Sequence, residues 1–345
     1  MGTLLGDKRR LGGDPRGKEA RPLSVSALVC TRDRADSVVG TVRSILQPDS
    51  ACIELLVVDQ STDRSTEDAL RPLFDDPRLR YIRSESRGKG RALNVGLAEA
   101  SGDIVAITDD DCEVVEGWPR RHLDVFARHP HVAVSFGNVL SVEHDREKGF
   151  IPDYVLTRDR LCKNIWDKLA ARGIGANMAV RRDVALGIGG FDPALGPGGE
   201  FHACVDGDMT VRCLLQGYQV FETKQSSVHH LGFRDWEQGR ALTRAAWFGI
   251  GAAYVKPLKC GRWEALPVFL YEFAWGALWP FLWATLTFRR PKGWLRVVSF
   301  LRGALRGWRA PVDRDNVLYR TLDSRPRPAR RQAKGGPIPN KGGDE

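Results

Sequence analysis

The sequence lacks the features that mark an exported, disulfide-bonded protein. Its seven cysteines are odd in number and scattered, and none stands in a C-x-x-C pair. This distribution disfavours a disulfide framework or a zinc finger and favours reduced thiols in a cytoplasmic protein. The N-terminus has no apolar run of the kind that a secretory signal carries, so we expect no export signal.

Interleaving of basic and aromatic residues is also missing, which disfavours a nucleic-acid-binding module. The formal net charge is nevertheless +9. Residues 1–21 and 321–345 are basic, rich in glycine and proline and poor in apolar side chains, so we expect two disordered tails. Basic tails favour polyanions, and an anionic membrane surface is one candidate partner.

Between the tails, residues 22–235 alternate strand-like and helix-like patterns. Residues 23–30 and 52–59 are apolar runs typical of buried strands, whereas residues 34–46 repeat apolar side chains at helical spacing. Continuous apolar strands joined by helices predict a mostly parallel sheet covered on both faces. We therefore predict one α/β domain that binds its ligands at the carboxyl ends of the strands.

Carboxylates stand at two of these predicted strand ends. Asp109, Asp110 and Asp111 follow the apolar residues 104–108, and Asp59 ends the second strand. Three adjacent acids are tolerable where a divalent cation and a phosphate meet, because Mg²⁺ and Mn²⁺ take carboxylate oxygens. A helix N-cap or a polar turn is the alternative. We expect Asp59 and Asp109 to share one crevice on neighbouring strand ends.

A basic, glycine-containing stretch, RGKGRALNVG at 87–96, precedes a predicted helix. A helix start of this kind suits phosphate oxygens, and a solvated basic helix face is the alternative. The stretch is not the dinucleotide fingerprint, because its glycines do not follow the first strand.

Residues 236–320 predict a C-terminal helical region that is hydrophobic and amphipathic. Its segment 263–288 contains no charge from Phe273 onward, and tryptophan recurs every four residues at positions 275, 279 and 283. Two arginines follow at once. The pattern favours a membrane-associating helix in the interface, while a span, a re-entrant segment or a buried helix stays open.

Six blocks of the chain resemble, in the same order, those of family-2 glycosyltransferases with the GT-A fold. The blocks are ALVCTRDRADSVVGTVRSIL, ELLVVDQSTDRST, RGKGRALNVGLAEASGDIVAITDDDC, GANMAVRRDVALGIGGFDPALGPGG, DGDMTVRCLLQGY and VHHLGF, and they cover roughly residues 23–235. The resemblance implies a GT-A, Rossmann-like domain, a nucleotide-sugar donor, Mn²⁺ or Mg²⁺, and inverting, hexosyltransferase-type transfer to an acceptor hydroxyl.

The resemblance also assigns site residues. Those matching the nucleotide-sugar site are Thr31, Arg34, Asp59, Lys89, Asn94, Asp109 and Asn177, and those matching metal ligands are Asp109, Asp111 and His229 or His230. Asp206 matches the catalytic base, but the glutamate that usually precedes it is Val205 here. Glu200 and His202 are possible replacements, and Asp208 is expected to cap the helix.

The expected protein is a metal-dependent glycosyltransferase at the cytoplasmic face of the cell membrane. It would act on a glycan or lipid-linked acceptor in cell-envelope polysaccharide or glycolipid synthesis. One alternative is a nucleotidyltransferase that makes a nucleotide sugar, although no glycine-rich loop follows the first strand. The other is a non-catalytic nucleotide-sugar-binding relative that has lost the usual glutamate.

Overall fold

The computed structural model describes residues 21–48, 51–287 and 293–320. The predicted tails, apart from Arg21, and the end of the apolar segment with its two arginines lie outside the described residues. The strands are β1 Val25–Thr31, β2 Cys52–Asp59, β3 Leu79–Arg83, β4 Ile104–Asp109, β5 Cys112–Val114, β6 Val132–Ser141, β7 Gly149–Phe150, β8 Arg160–Cys162, β9 Asn177–Arg181, β10 Gln219–His230, β11 Arg234–Asp235, β12 Val312–Asp313 and β13 Leu318–Tyr319.

The helices follow the strands in βα alternation and then dominate the C-terminal region. They are α1 Ala35–Ile45, α2 Ser65–Leu70, α3 Lys89–Glu99, α4 Trp118–Arg128, α5 Arg182–Gly187, α6 Val205–Leu215, α7 Trp236–Lys259, α8 Leu266–Tyr271, a π-helix at Glu272–Leu278, α9 Trp279–Leu286 and α10 Trp294–Arg309. Three short 3₁₀ turns are Arg71–Leu73, Asp167–Ala170 and Trp263–Ala265.

One central sheet organises the fold, in the order β3-β2-β1-β4-β9-β6-β10-β5, with β8 also paired to β10. The strands β3, β2, β1 and β4 are mutually parallel, as the apolar runs predicted. Between β4 and β6 the chain inserts β9 antiparallel to both. The α/β class with a mostly parallel sheet is confirmed, and the antiparallel insertion is an addition to the prediction.

Local sequence explains the elements that carry the crevice. Seven of the eight residues of β2 are buried, because helices cover both faces of the sheet. On α1, Val38, Val42 and Ile45 recur at helical spacing and are buried. The helix α3 can approach the sheet closely because a Cβ at Gly96 would overlap the Leu28 side chain.

The C-terminal helices pack onto the α/β core rather than standing apart from it. Ala252, Tyr254 and Leu258 of α7 belong to the same buried cluster as Leu28 and Met209. The helix α7 begins with a capping box, in which the Asp235 carboxylate accepts from Glu237 and Gln238 backbone N–H groups. Packing is therefore continuous across residue 235.

One helical stretch of the described residues, Trp263–Leu286, is long and apolar enough to cross a membrane by length and composition. Its most apolar window has a mean hydropathy of 1.3, and 28% of that window is buried inside the protein.

Candidate active site

A crevice of about 460 Å³ opens at the carboxyl ends of β1 and β4 and reaches the end of β10. Its lining contains Thr31, Arg34, Gln60, Gly88, Lys89, Asp109, Asp110, Asp111, Pro197, Gly198, His230 and Arg234. Much of the lining thus comes from turns that follow strands, the usual ligand position on an α/β sheet, and Pro197 and Gly198 come from the loop between α5 and α6.

The three consecutive aspartates of the crevice differ in their partners, although Arg34 contacts two of them. Asp109 forms an ion pair with Lys89. Asp110 is buried and accepts from Thr31 Oγ1 at 2.8 Å and Arg34 Nη1 at 2.9 Å. Burial raises the pKa of Asp110 above its ordinary value despite these donors. Asp110 therefore ties β1 to the turn that follows β4.

Asp111 lies opposite His230, with 3.3 Å between Oδ1 and the ring Nε2. Arg34 and Arg234 contact its Oδ2 at 3.0 and 3.2 Å. Burial would raise the pKa of Asp111, but the histidine and the two arginines outweigh it and lower that pKa. The same carboxylate helps to raise the pKa of His230, against the opposing effect of burial.

Asp111 and His230 fit a divalent metal ion. The ring Nδ1 of His230 lies 2.8 Å from the Pro152 carbonyl, which can only accept, so Nδ1 donates and Nε2 is free to act as a ligand once the ring is neutral. A carboxylate with an imidazole suits Mn²⁺. Cys112 is the third group near them, and burial raises the pKa of its thiol.

His229 points away from this pair. Successive residues of a strand face opposite sides, so its side chain is exposed while that of His230 is buried in the crevice. Of the two histidines predicted as metal ligands, the structure brings only His230 to Asp111.

Asp206 stands at the first turn of α6. Its Oδ2 accepts from the Gly175 N–H at 2.7 Å and its Oδ1 from the Gly207 N–H at 2.8 Å. Lys89 is close enough for the charges of Asp109 and Asp206 to raise its pKa against the effect of burial. Lys89 therefore links the acidic triplet to the candidate base.

The residue before Asp206 offers no second carboxylate. Val205 is buried and belongs to the hydrophobic core. Glu200 pairs with Arg306 at 3.0 Å, and the His202 ring packs beside Phe248 at 5.6 Å between centroids. Asp208 does not cap α6 as expected, because its carboxylate contacts Arg212 and Lys256 in the interior.

Three predicted nucleotide-binding side chains are engaged inside the fold instead of lining the crevice. Asn94 clamps Phe191, donating to its carbonyl at 2.8 Å and accepting from its N–H at 2.7 Å. Asn177 is buried, where its Oδ1 accepts from Trp118 Nε1 at 2.8 Å. Asp59 is buried and accepts from Ser61 and, at 2.6 Å, from the Tyr81 hydroxyl.

Asp59 and Asp109 do not end neighbouring strands, which corrects the sequence expectation. The strand β1 lies between β2 and β4, so Asp59 is paired with Thr31 and Asp109 with Cys30. The neighbouring residue Gln60 lines the crevice instead.

Sequence reasoning missed Arg234 and the lip formed by Pro197 and Gly198. Arg234 follows the histidine pair by four residues, and no spacing rule indicates an ion pair with Asp111. The lip had a visible signal in GPGG at 196–199. Gly198 has φ +77° and packs against Gly88, which has φ +109°, so both positions require glycine.

Comparison with known proteins identifies the class of enzyme. A sequence profile described as Glycosyl transferase family 2 matches residues 26–188, which carry β1 to β9 and the acidic triplet. Over these residues the chain resembles glycosyl transferase family 2. It is a glycosyltransferase.

Relatives and solved structures agree with this assignment. This glycosyltransferase is 26% identical over 240 residues to the glucosyl-dolichyl phosphate glucuronosyltransferase of Haloferax volcanii, covering 66% of this chain and 75% of that protein. It superposes with a TM-score of 0.54 on the mannosyltransferase PcManGT of Pyrobaculum calidifontis in complex with GDP-Man and Mn²⁺, at 18% identity, covering 84% and 88% of the two chains.

A second solved structure is similar to the same extent. S. aureus TarS 1–349 in complex with UDP-GlcNAc gives a TM-score of 0.54 at 15% identity, covering 73% of each chain. At these identities the similarity establishes the fold, and the GT-A fold predicted from the sequence is confirmed.

Proposed function

We propose that this glycosyltransferase is metal-dependent and inverting, and that it moves a sugar from a nucleotide-sugar donor to an acceptor hydroxyl. The observation that carries the proposal is that two features line one crevice and a third lies close to Lys89 of that crevice. Asp111 faces His230 at 3.3 Å, Lys89 pairs with Asp109, and Asp206 is held at a helix start close to Lys89. Such a reaction needs a site for a metal ion, a basic side chain for the phosphates and a carboxylate base.

In this proposal Asp111 and His230 hold Mn²⁺ or Mg²⁺, with Asp109 beside them. When bound, the metal neutralises negative charge on the leaving diphosphate. Lys89 and Arg34 add positive charge along the same wall, where Thr31 and Gln60 complete the nucleoside side. In this proposal Asp59, Asn94 and Asn177 have a supporting role, since their side chains are hydrogen-bonded inside the fold.

Asp206 is the proposed base. Inverting transfer requires a carboxylate that takes the proton of the acceptor hydroxyl on the face opposite the leaving group. Two backbone N–H groups fix the position of the Asp206 carboxylate, at 2.7 and 2.8 Å. The base is thereby oriented without a neighbouring glutamate.

The proposed acceptor is a lipid-linked sugar or a glycan of the cell envelope, and the proposed site of action is the cytoplasmic face of the membrane. The relative from Haloferax volcanii is named for a dolichyl phosphate-linked sugar. The apolar stretch Trp263–Leu286 gives this chain a means of reaching such a substrate at a membrane.

A first experiment identifies the donor. Thermal unfolding is measured with a panel of nucleotide sugars, each with and without Mn²⁺. A donor that binds only the native state raises the melting temperature, and we expect that rise to require the metal. Donors that stabilise equally well in EDTA would contradict metal dependence.

A second experiment tests the base. With the donor found above, Asp206→Asn should lower kcat by about 10²- to 10⁴-fold, the range typical of a general base, while the donor still raises the melting temperature. Exposed Asp75 serves as the matched control, and Asp75→Asn should leave kcat unchanged. Full activity of Asp206→Asn would refute this role.

Val205 favours one second candidate, a protein that binds a nucleotide sugar without transferring it. Metal-dependent stabilisation by a donor with neither transfer nor hydrolysis of that donor would select this candidate. Release of pyrophosphate from a nucleoside triphosphate and a sugar phosphate would instead identify a nucleotidyltransferase.

A further inference from the structure

The stretch Trp263–Leu286 has two faces. Phe269, Phe273 and Ala277 point inward, where the two phenylalanine rings lie 5.2 and 5.4 Å from the ring of Phe300 on α10. The opposite face carries large apolar side chains in solvent, among them Trp275, Trp279, Leu282, Trp283 and Leu286. Trp275 is 57% exposed and Leu286 is 69% exposed, which is unusual for apolar side chains this large.

A buried charge attaches this stretch to the catalytic core. Glu272, in the first turn of the π-helix, is only 6% exposed. Its carboxylate lies 3.7 Å from the Arg172 guanidinium, which also covers the Tyr271 ring at 5.6 Å. Arg172 lies three residues before Gly175, whose backbone N–H donates to Asp206. If the stretch left the protein to cross a membrane, this pair would break and the Glu272 carboxylate would lie in the hydrocarbon, which is costly for a charged group.

The neighbouring helix α10 is also two-sided. Gly251 of α7 and Gly303 of α10 let the two backbones touch, since a Cβ at either glycine would overlap a carbonyl of the other helix. The outward residues Trp294, Leu301, Leu305 and Trp308 are exposed. At 100° per residue they lie within about 60° of one another around the helix, and Arg302, Arg306 and Arg309 follow within roughly a further 100°.

The charge of α10 indicates what covers this surface. The helix contains four arginines and no acidic residue. Three of the arginines flank the apolar stripe, and the fourth, Arg296, lies over the Trp247 ring at 5.6 Å. Tryptophan and leucine beside arginine match the boundary between acyl chains and anionic head groups, where indole rings concentrate and each basic residue adds attraction.

We propose that the outward faces of Trp263–Leu286 and α10 form one docking face for an anionic lipid bilayer, and that Trp263–Leu286 lies along the membrane surface without crossing it. The inward face stays packed on α7 and α10, and Glu272 stays paired with Arg172. Docking of this kind sets the catalytic core directly on the surface from which a lipid-linked acceptor is reached. The inference extends the proposed function by naming its membrane contact, but its test needs no sugar transfer.

The first test is sedimentation of the full chain with vesicles of phosphatidylglycerol and phosphatidylcholine, compared with phosphatidylcholine alone. We expect binding that requires the anionic lipid and weakens as salt rises. The variant Trp275→Ala/Trp283→Ala should bind at least about tenfold more weakly, because interfacial binding scales with buried apolar area. Exposed Trp166, outside the face, is the matched control, and Trp166→Ala should bind as the wild type does.

A second pair of variants tests the charge. Arg302→Gln/Arg309→Gln should lose affinity for anionic vesicles by about thirtyfold, because each basic residue near the surface contributes about 1 kcal/mol and the variant removes two. The matched control is Arg120→Gln/Arg121→Gln, which removes two exposed arginines from α4. Equal losses in both double variants would overturn the assignment of the face.

Extraction separates docking from spanning. Membranes carrying the full chain are washed with alkaline carbonate, which releases surface-bound proteins and retains spanning ones. We expect release, and retention after the wash would overturn the inference. Sedimentation equilibrium tests whether a second copy of the chain covers the face instead. A wild-type dimer that becomes a monomer in the Trp275→Ala/Trp283→Ala variant, with vesicle binding unchanged, would show that it does.

The donor-induced rise in melting temperature separates a failure of the docking face from a failure of the proposed function. Each docking variant should keep the donor-induced rise in melting temperature, because none of the substituted residues lines the crevice. Loss of vesicle binding with donor binding intact supports the docking face. Intact vesicle binding with no response to any donor would refute the proposed function and leave the docking face standing.

Discussion

Lys256 Nζ lies 2.7 Å from Asp208 Oδ1, and both side chains are buried. The contact lacks hydrogen-bond geometry, so the attraction is electrostatic. Lys256 belongs to α7 and Asp208 to α6, two residues after Asp206. Lys256 also reaches Asp192 at 2.5 Å, and the same Asp192 oxygen accepts from the Tyr319 N–H at 2.9 Å. The C-terminal region thus holds the helix that begins with the proposed base.

Removal of this buried cation should destabilise the whole fold. Lys256→Met leaves two buried aspartates with less compensation, and breaking a buried pair costs about 3–5 kcal/mol. Exposed Lys224 provides the control, and Lys224→Met should cost less than about 0.5 kcal/mol. Chemical denaturation followed by circular dichroism measures both. An unchanged free energy of unfolding for Lys256→Met would show that the cluster tolerates the loss of its lysine.

His122 should make stability depend on pH. The ring is buried and bonded to Asn177 and Ser226, and burial lowers its pKa from 6.5 to about 4. Between these two pKa values the unfolded chain binds a proton at this ring and the folded chain does not. The contribution of His122 to the free energy of unfolding is therefore complete above pH 6.5 and declines as pH falls towards 4. The free energy of unfolding should fall by about 3 kcal/mol through this group, at about 1.36 kcal/mol per pKa unit.

The variant His122→Gln isolates this effect. Glutamine carries no titrating group, so its free energy of unfolding should fall less steeply between pH 6.5 and pH 4.5 than that of the wild type. Exposed His229 is the control, and His229→Gln should keep the wild-type slope. Parallel slopes for the wild type and His122→Gln would contradict the lowered pKa.

Strands and helices that local sequence specifies were predictable. The order in which the strands lie side by side in the sheet was not. The apolar run CIELLVVD needs no partner to be identified as a buried strand, and β2 spans Cys52–Asp59 as predicted. The position of β9 between β4 and β6 depends on pairing between residues far apart in sequence. For the same reason, nothing local revealed that β1 separates Asp59 from Asp109.

The candidate site shows the same limit. Strand ends and the acidic triplet indicated the crevice from the sequence alone. Alternation along β10 implies that His229 and His230 face opposite sides, but register decides which of them faces inward, and register is set by distant residues. Asn94 and Asn177 stand in the right blocks, yet their amides satisfy buried backbone and side-chain groups. Local sequence does not distinguish such clamps from ligand contacts.

The two histidines also provide a matched pair for the metal. His230→Ala should weaken Mn²⁺ binding at least about tenfold, since it removes a proposed ligand, whereas His229→Ala should leave it unchanged. The readout is the Mn²⁺ concentration that gives half of the donor-induced rise in melting temperature. Equal effects of the two variants would contradict the assignment of His230, and EDTA should abolish the rise in both the wild type and His229→Ala.

Replacing Val205 with the usual glutamate should not improve this enzyme. The position is 6% exposed and lies in the hydrophobic core, so the carboxylate of Val205→Glu would be buried without an identified partner. Such a group costs several kcal/mol, and we expect a lower melting temperature and no gain in kcat. Val205→Ile, which keeps the site apolar, should be nearly neutral by comparison. A rise in kcat for Val205→Glu would show instead that α6 turns to present residue 205 to the crevice, and that Asp206 acts best with an acidic neighbour.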